Sequence, residues 1–409
     1  MNIVLEPGAA ALLDELHRAG FGAYAVGGCV RDSLLGLAPH DWDLCTAARP
    51  GQVMELFGED RCIPTGLQHG TVTVKRDGKL YEITTFRTEG RYSDGRHPDS
   101  VAFVPDLRED LARRDFTINA MAYSAEEGLC DPFGGLEDLA RGVVRAVGEP
   151  LRRFGEDALR ILRLYRFAAR FGFAIDEATE AAAKQLASHL DCVSAERIEE
   201  ELNKLLAAPQ PGAYLEPEVL AFVLPELPPE ELTKARRWID ALPAGTEQVS
   251  ARWAALLMPL GETGARKALK RLKCSNARTD GAAALVRECG EKTPDTLDKC
   301  DLRLQAKRLL GKYDLHTVRQ LTALWTALAP EEKASFDALR AEAEALTAQG
   351  ACCRISQLAV NGRDLMAAGA APGPGLRRVL EALLEEVITG RLPNEKTELL
   401  AFAAGFSAS

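Results

Sequence analysis

No stretch of this sequence approaches the ~20 consecutive apolar residues that a membrane-spanning helix needs. The first residues, M-N-I-V-L-E-P-G, lack the basic segment and apolar core of a secretory signal. Together these absences set the expectation of a cytoplasmic protein without membrane contact. The ten cysteines are scattered, Cys352 and Cys353 are adjacent, and none forms C-x-x-C pairs with zinc spacing. They read as reduced thiols, mostly small core residues. Positive charge is also short: 50 Lys and Arg face 60 Asp and Glu, for a net charge of -10. That argues against non-specific coating of nucleic acid and requires any RNA partner to be gripped through one local patch. What is present, 46% hydrophobic and 27% charged residues over a length of 409, suits a globular chain of two to four domains. Nothing in it indicates an obligate protein partner.

The chain is organised around residues 25 to 46. A short apolar strand, Tyr24 to Val26, meets Gly27 and Gly28, and Val30 to Leu35 reads as a short helix carrying Arg31 and Asp32. Gly36 and Pro39 end it, and His40-Asp41-Trp42-Asp43-Leu44 follows as an alternating, strand-like segment. Residues i and i+2 of a strand share a face, so Asp41 and Asp43 are expected side by side. Paired carboxylates repel and call for a cation or a proton. With substrate phosphates, such a pair is the usual way of holding Mg²⁺. Two glycines and a helix start let backbone N–H groups approach an anion. Taken alone, D-x-D is equally a pair of solvated aspartates on an edge strand; the glycines upstream favour phosphoryl or nucleotidyl transfer.

Other segments add charged groups. Thr71 to Lys75 and Lys79 to Phe86 alternate across the turn Arg76-Asp77-Gly78 and predict a hairpin. Glu82 on its second strand is either a third carboxylate beside Asp41 and Asp43 or a glutamate on a wet face. Residues 87 to 100 hold two glycines, a proline and many charges, and read as a loop leaving the sheet. In L-R-E-D-L-A-R-R-D-F-T-I-N-A, Arg113 and Arg114 have the chemistry to meet a triphosphate, and Asp115 to orient an arginine or bind a ribose hydroxyl. Residues 154 to 171 predict one helix, with Glu156 and Asp157 spaced to meet Arg160 and with Arg163, Arg166 and Arg170 beyond. A carboxylate and a guanidinium fixed together can read the Watson–Crick edge of C or A; a helix laced by its own ion pairs is the plainer reading.

In their order, G-G-C-V-R-D-S-L-L-G, H-D-W-D-L-C-T, R-R-D-F-T-I-N-A, D-P-F-G-G and E-D-A-L-R resemble the class II tRNA nucleotidyltransferase and bacterial poly(A) polymerase family of polymerase-beta-like nucleotidyltransferases. The resemblance implies an α+β fold, with a small mixed-sheet head followed by an all-helical neck, body and tail. It implies head 1–145, neck 146–209, body 210–350 and tail 351–409, the last two binding RNA. The expected activity is Mg²⁺-dependent addition of C, C and A to the acceptor end of tRNA from CTP and ATP. CC-only or A-only addition, poly(A) synthesis and an inactive tRNA-binding module are the alternatives.

By the same resemblance Asp41 and Asp43 are catalytic and hold the metal, while Gly28 and Arg31 cradle phosphates. Arg114 and Asp115 handle the nucleotide and its ribose, with Asn119 in support. Asp157 and Arg160 template the base, and Arg163 and Arg166 lie near the triphosphate or the RNA end. Arg91, Tyr92, Asp94, Arg96 and Pro98 match a flexible loop that favours terminal-A addition. Ser194 is expected to cap the helix 194–206, a block that braces the neck, with Arg197, Glu200 and Glu201 as structural residues. The cluster Arg266, Lys267, Lys270, Arg271, Lys273 and Arg278 reads as a solvated face or a phosphate track for an acceptor stem. The H-D signature of an appended phosphohydrolase and a long basic C-terminal tail are both missing.

Overall fold

The computed structural model describes residues 3–90, 101–291 and 301–406. The chain parts into two compact units, Met1–Pro225 and Glu226–Ser409. The first opens with α1 (Pro7–Arg18), where the Glu6 carboxylate accepts the amides of Gly8 and Ala9 and Pro7 takes the first turn. Leu12, Leu13 and Leu16 form its buried stripe. Next come β1 (Ala23–Val26), α2 (Gly28–Leu34), β2 (Leu44–Thr46), α3 (Pro50–Phe57), β3 (Cys62–Gly66), β4 (Thr71–Arg76) and β5 (Lys79–Thr85). The β4–β5 hairpin closes on Asp77 (φ 49°) and Gly78 (φ 78°), two positive-φ residues whose turn follows the twist of the strands.

β6 (Arg87–Glu89) pairs with β7 (Val101–Phe103) as a separate antiparallel ribbon. The loop expected from residue 87 therefore starts with three residues of strand. Such a ribbon needs backbone partners rather than apolar alternation, so the sequence pattern was silent there. Arg91, Tyr92, Asp94, Arg96 and Pro98 lie outside the described residues. α4 (Leu107–Ala112), β8 (Ala122–Ser124), β9 (Gly128–Cys130) and α5 (Gly135–Arg141) complete this part. Gly135 is compelled by space, since a Cβ there would lie 2.2 Å from the Thr117 carbonyl oxygen.

The seven-stranded sheet runs β3-β4-β5-β2-β1-β8-β9, antiparallel except for the β2–β5 pair. β1 and β2 are buried along their whole length. Tyr24 and Val26 of β1 and Cys45 of β2 share a core with Phe86, Leu111, Ala122 and Val147, and full burial of a side chain the size of Val26, Phe86, Leu111 or Val147 contributes ~2 kcal/mol.

Helices follow. β10 (Val143–Val144) pairs in parallel with β11 (Ala174–Ile175), and between them lie α6 (Pro150–Glu156) and α7 (Leu159–Phe171). The helix expected over 154–171 is thus two helices. Asp157 between them is extended, at φ -143° and ψ 105°, with its carboxylate accepting the Leu159 amide. α8 (Glu177–Gln185), α9 (Ala195–Leu206) and α10 (Pro217–Val223) end the unit. Ser194 stands at the N-cap of α9, but its side chain makes no capping bond.

Among the described residues of the second unit the regular elements are helices: α11 (Leu232–Ala241), α12 (Val249–Leu257), α13 (Gly261–Arg271), α14 (Asn276–Glu291), α15 (Leu302–Lys312), α16 (Leu315–Leu328), α17 (Lys333–Ala348), α18 (Gly362–Ala367), α19 (Pro374–Ile388) and α20 (Lys396–Phe406). Trp253 and Arg252 are fully buried in it, the Arg252 guanidinium donating to the Leu242 carbonyl at 2.8 Å. Val360, Leu365, Leu383, Val387 and Leu399 form a second core near its end. The fold is α+β, as expected. Among the described residues no helix is long and apolar enough to cross a membrane.

Candidate active site

Strand register assembles the site. β1 is antiparallel to both β2 and β8, so the end of β1, the start of β2 and the start of β8 meet at one end of the sheet. Gly27, Asp43 and the segment 113–121 are the residues just beyond those strand ends. The Val26 amide donates to the Asp43 carbonyl at 3.0 Å, fixing that residue's backbone. Leu44 pairs with Ile83 in the parallel β2–β5 register, which sets Glu82 beside Asp43.

Asp41 and Asp43 precede β2 and do not lie in it, because the strand begins at Leu44. The expectation of a strand across 40–44 is corrected accordingly: only Leu44 of that segment joins the ladder, in pairs with Ala25 and Ile83. Both aspartates are exposed. The Asp41 carboxylate is 2.9 Å from His40 Nδ1. Asp43 makes no side-chain bond among the described residues. Desolvation pushes its carboxyl above the usual range; Arg114 opposes this, and the like charges of Glu82 and Asp41 add to it. Among the described residues no cluster of three or more His, Cys, Asp or Glu side chains is built to hold a metal. The donor set is the pair Asp41 and Asp43, with Glu82 as the neighbouring charge.

Gly27 turns the chain at φ 76°. A Cβ on it would lie 2.9 Å from Arg114 Nη1, so glycine is what lets that guanidinium approach. The Gly27 amide is committed to the Met121 carbonyl at 3.0 Å. Any backbone contact with an anion here therefore falls to Gly28, the first residue of α2. Arg31 is buried instead of open: Nε donates to Asp32 at 2.8 Å, Nη1 to the Asn119 side-chain oxygen, and the group sits 5.1 and 4.9 Å from the Phe167 and Phe171 ring centres. Asp32 also accepts from Arg170 at 3.0 Å.

Asp115 is saturated. One oxygen accepts the Phe116 amide at 2.8 Å and Asn119 Nδ2 at 3.0 Å; the other accepts Arg163 Nε at 2.9 Å and Nη2 at 2.6 Å. Burial works against the charged carboxyl, but Arg163 and these bonds outweigh it and hold Asp115 well below the usual range. Arg166 pairs with the buried Glu201 and stacks 3.9 Å over Phe167. Asp110, on α4, is fully buried and ties Arg113, Arg114 and the Arg87 amide together.

Asp157 and Arg160 lie at the break before α7; the Arg160 amide donates to the Asp157 carbonyl at 3.0 Å, but their side chains do not pair with each other. Asp157 accepts from Arg197 Nη2 at 2.8 Å, a contact that makes Arg197 more than a distant brace. Arg160 donates to Glu156 at 2.9 Å and to the carbonyls of Arg153 and Arg113, both at 3.1 Å. Sequence reasoning gave Asp110 and Asp32 no role. For Asp110 a signal existed, since Arg113 and Arg114 follow it at i+3 and i+4.

The chain is similar to known proteins over most of its length. The poly A polymerase head domain family matches residues 23–145, and the tRNA nucleotidyltransferase domain 2 family matches 245–403. A CCA-adding enzyme of Limosilactobacillus fermentum is 38% identical over 397 residues, covering 96% of this chain and 95% of that protein. One from Latilactobacillus sakei is 39% identical over 402 residues, covering 96% of each. A crystal structure of the Bacillus stearothermophilus CCA-adding enzyme in complex with CTP superposes with a TM-score of 0.82 at 34% identity, covering 99% of this chain and 98% of that one.

Proposed function

The chain belongs to the family of CCA-adding enzymes, and from that premise we propose how its own residues divide the work. The protein is a nucleotidyltransferase that adds C, C and A to the 3′ end of tRNA from CTP and ATP, with no nucleic-acid template, and releases pyrophosphate. The observation that carries the assignment of residues is the meeting of Asp41, Asp43, Glu82, Gly27 and Arg114 at one sheet end.

Asp41 and Asp43 hold Mg²⁺. Two exposed carboxylates side by side, with Glu82 as a third like charge, are a donor set whose mutual repulsion a divalent cation relieves; desolvation first, then Glu82 and Asp41, raise the Asp43 carboxyl against Arg114. When bound, the ion supplies charge neutralisation at the phosphates and a lowered pKa for the RNA 3′-hydroxyl. Arg114 and Gly28 receive the triphosphate. The 3′-hydroxyl oxygen attacks the α-phosphorus and the bond to pyrophosphate breaks, so the protein's task is positioning and fixed charge. Asp115, with both oxygens already occupied, serves the ribose side of the nucleotide by holding Asn119 and Arg163 in a wall shared with Arg166 and Glu201, with Arg31 bracing Asn119. Asp157 and Arg160 present an acceptor and donors to the base edge.

We read residues 1–145 as head, 146–209 as neck, 210–350 as body and 351–409 as tail, the last two gripping tRNA. Within the basic cluster on α13, Arg266 and Arg271 are spent on Asp280, Glu262 and Glu226, while Lys267 and Lys270 are exposed and meet RNA phosphates. The reaction is placed in the cytoplasm.

The test is incorporation on three tRNAs, one lacking CCA, one ending in C-C and one complete, each given CTP, ATP or both with Mg²⁺. The expected result is addition of C, C and A followed by a halt. Addition of C only or A only would mean that the work is split with another enzyme. A long A tail on general RNA would reassign the chain to poly(A) synthesis, and no incorporation on any substrate would leave a tRNA-binding module.

A further inference from the structure

Asp110 sits on α4 with no exposed side-chain surface, yet it carries a charge in the interior of the catalytic unit. Its two oxygens have different tasks. Oδ1 accepts Arg113 Nε at 3.0 Å, Arg113 Nη2 at 2.9 Å and the Arg87 amide at 3.2 Å. Oδ2 accepts Arg114 Nη2 at 3.3 Å. The first oxygen anchors the carboxylate to the fold, where α4 meets the strand that starts at Arg87. The second faces Arg114.

Arg114 has little else to fix it. Its Nε is buried without a hydrogen-bond partner among the described residues, and its ion pair to Asp110 is the one it makes among them. Its Nη1 sits against the Gly27 turn, and its charge acts on Asp43. A guanidinium with one charged tether and a metal-binding aspartate in its field takes its aim from that tether.

We propose that Asp110 is a positioning residue for nucleotide transfer, holding Arg114 against Gly27 beside Asp43 through Oδ2 while Oδ1 locks the assembly to the fold. This rests on the reading of Arg114 as a triphosphate ligand given above. Asp110→Asn is a selective probe: the amide oxygen keeps the anchor to Arg113 and Arg87, and the amide nitrogen turns a donor toward Arg114.

The experiment is a double-mutant cycle of Asp110→Asn, Arg114→Ala and the pair, read as single-turnover addition of C to tRNA lacking CCA, with thermal melting alongside. Asp110→Asn is expected to lower the maximal rate ~10- to 100-fold with the apparent affinity for tRNA unchanged. The double variant is expected to be no slower than Arg114→Ala alone, because the two changes remove one interaction. Wild-type turnover in Asp110→Asn, or losses that multiply in the pair, would overturn the proposal while leaving Arg114 as a ligand. Wild-type turnover in Arg114→Ala would overturn the reading of Arg114 itself. Should Asp110→Asn fail to fold, Asp110→Glu, which keeps the charge and shifts it by one methylene, carries the same cycle and the same expected rates.

Discussion

Asp43 and Asp115 lie in one compact unit and are treated in opposite ways. Asp43 is exposed at the sheet end, beside two like charges and with no side-chain bond among the described residues. Asp115 is buried and has four N–H donors on its two oxygens. Both keep a carboxylate in a setting that disfavours charge; bonded donors more than offset this at Asp115, whereas at Asp43 the Arg114 charge offsets it only in part. The difference teaches where the chain expects a ligand to bring positive charge and where it has supplied its own. Glu201, held by Arg166, follows the second pattern. The arginines near the site divide in the same way. Arg31, Arg163 and Arg166 are tied to acids and lie over Phe167, at 5.1, 5.3 and 3.9 Å, where the ring face favours the cation further. They build the wall that holds Asp115, whereas Arg114 is tied to Asp110 on α4 and lies against the Gly27 turn.

The contrast can be broken from either side. The largest effect is expected at the pair Asp41 and Asp43. Asp41→Ala or Asp43→Ala should abolish nucleotide transfer, a loss of at least ~10³-fold, with the fold intact by circular dichroism. Full activity in either variant would remove the metal pair from the mechanism. A much smaller effect is expected at Glu216, whose carboxyl is pushed up to about 7 by burial, by its hydrogen bond to Glu218 and by that neighbour's charge, with Lys184 opposing. Its folded-state pKa is raised, so the folded chain holds more protons than the unfolded chain between the ordinary carboxyl value and about 7. Stability should therefore fall as pH rises through that window. Glu216→Gln should flatten the slope and add ~1 kcal/mol at pH 8, read from urea unfolding at pH 5 and pH 8. An unchanged slope would show that the two carboxyls do not share a proton.

Much of this arrangement was legible in the sequence. Helices α1 and α3 and the β4–β5 hairpin carry strong local signals: proline in the first turn, a buried stripe, and Asp-Gly between alternating strands. The glycine pair and the D-x-D spacing marked residues 25–46 as the centre of the site, although the strand expected across 40–44 begins only at Leu44. What the sequence hid was set by distant partners. E-D-A-L-R has helical composition, and the break at Asp157 is fixed by Arg197, 40 positions away. β3 contains Pro64 and lies at the sheet edge, the place where a strand tolerates proline and where apolar alternation is weakest. The roles of Arg163 and Arg166 as struts depend on Asp115 and Glu201, which reach them from 48 and 35 positions away. Pro209 to Gly212 signalled a break, but residues 217–223 form α10 within the first unit, and the compact units part at Pro225.

The most direct test of the contrast is equilibrium unfolding of Asp43→Asn and Asp115→Asn side by side, at neutral pH in metal-free buffer. Asp115→Asn should lose ~3 kcal/mol, because it strips the Arg163 charge of its closest acid and leaves Glu201 at 3.9 Å. Asp43→Asn should lose nothing or gain slightly, because it removes a charge that desolvation and its like-charged neighbours disfavour and that Arg114 offsets only in part. A large loss in Asp43→Asn, or none in Asp115→Asn, would contradict the account.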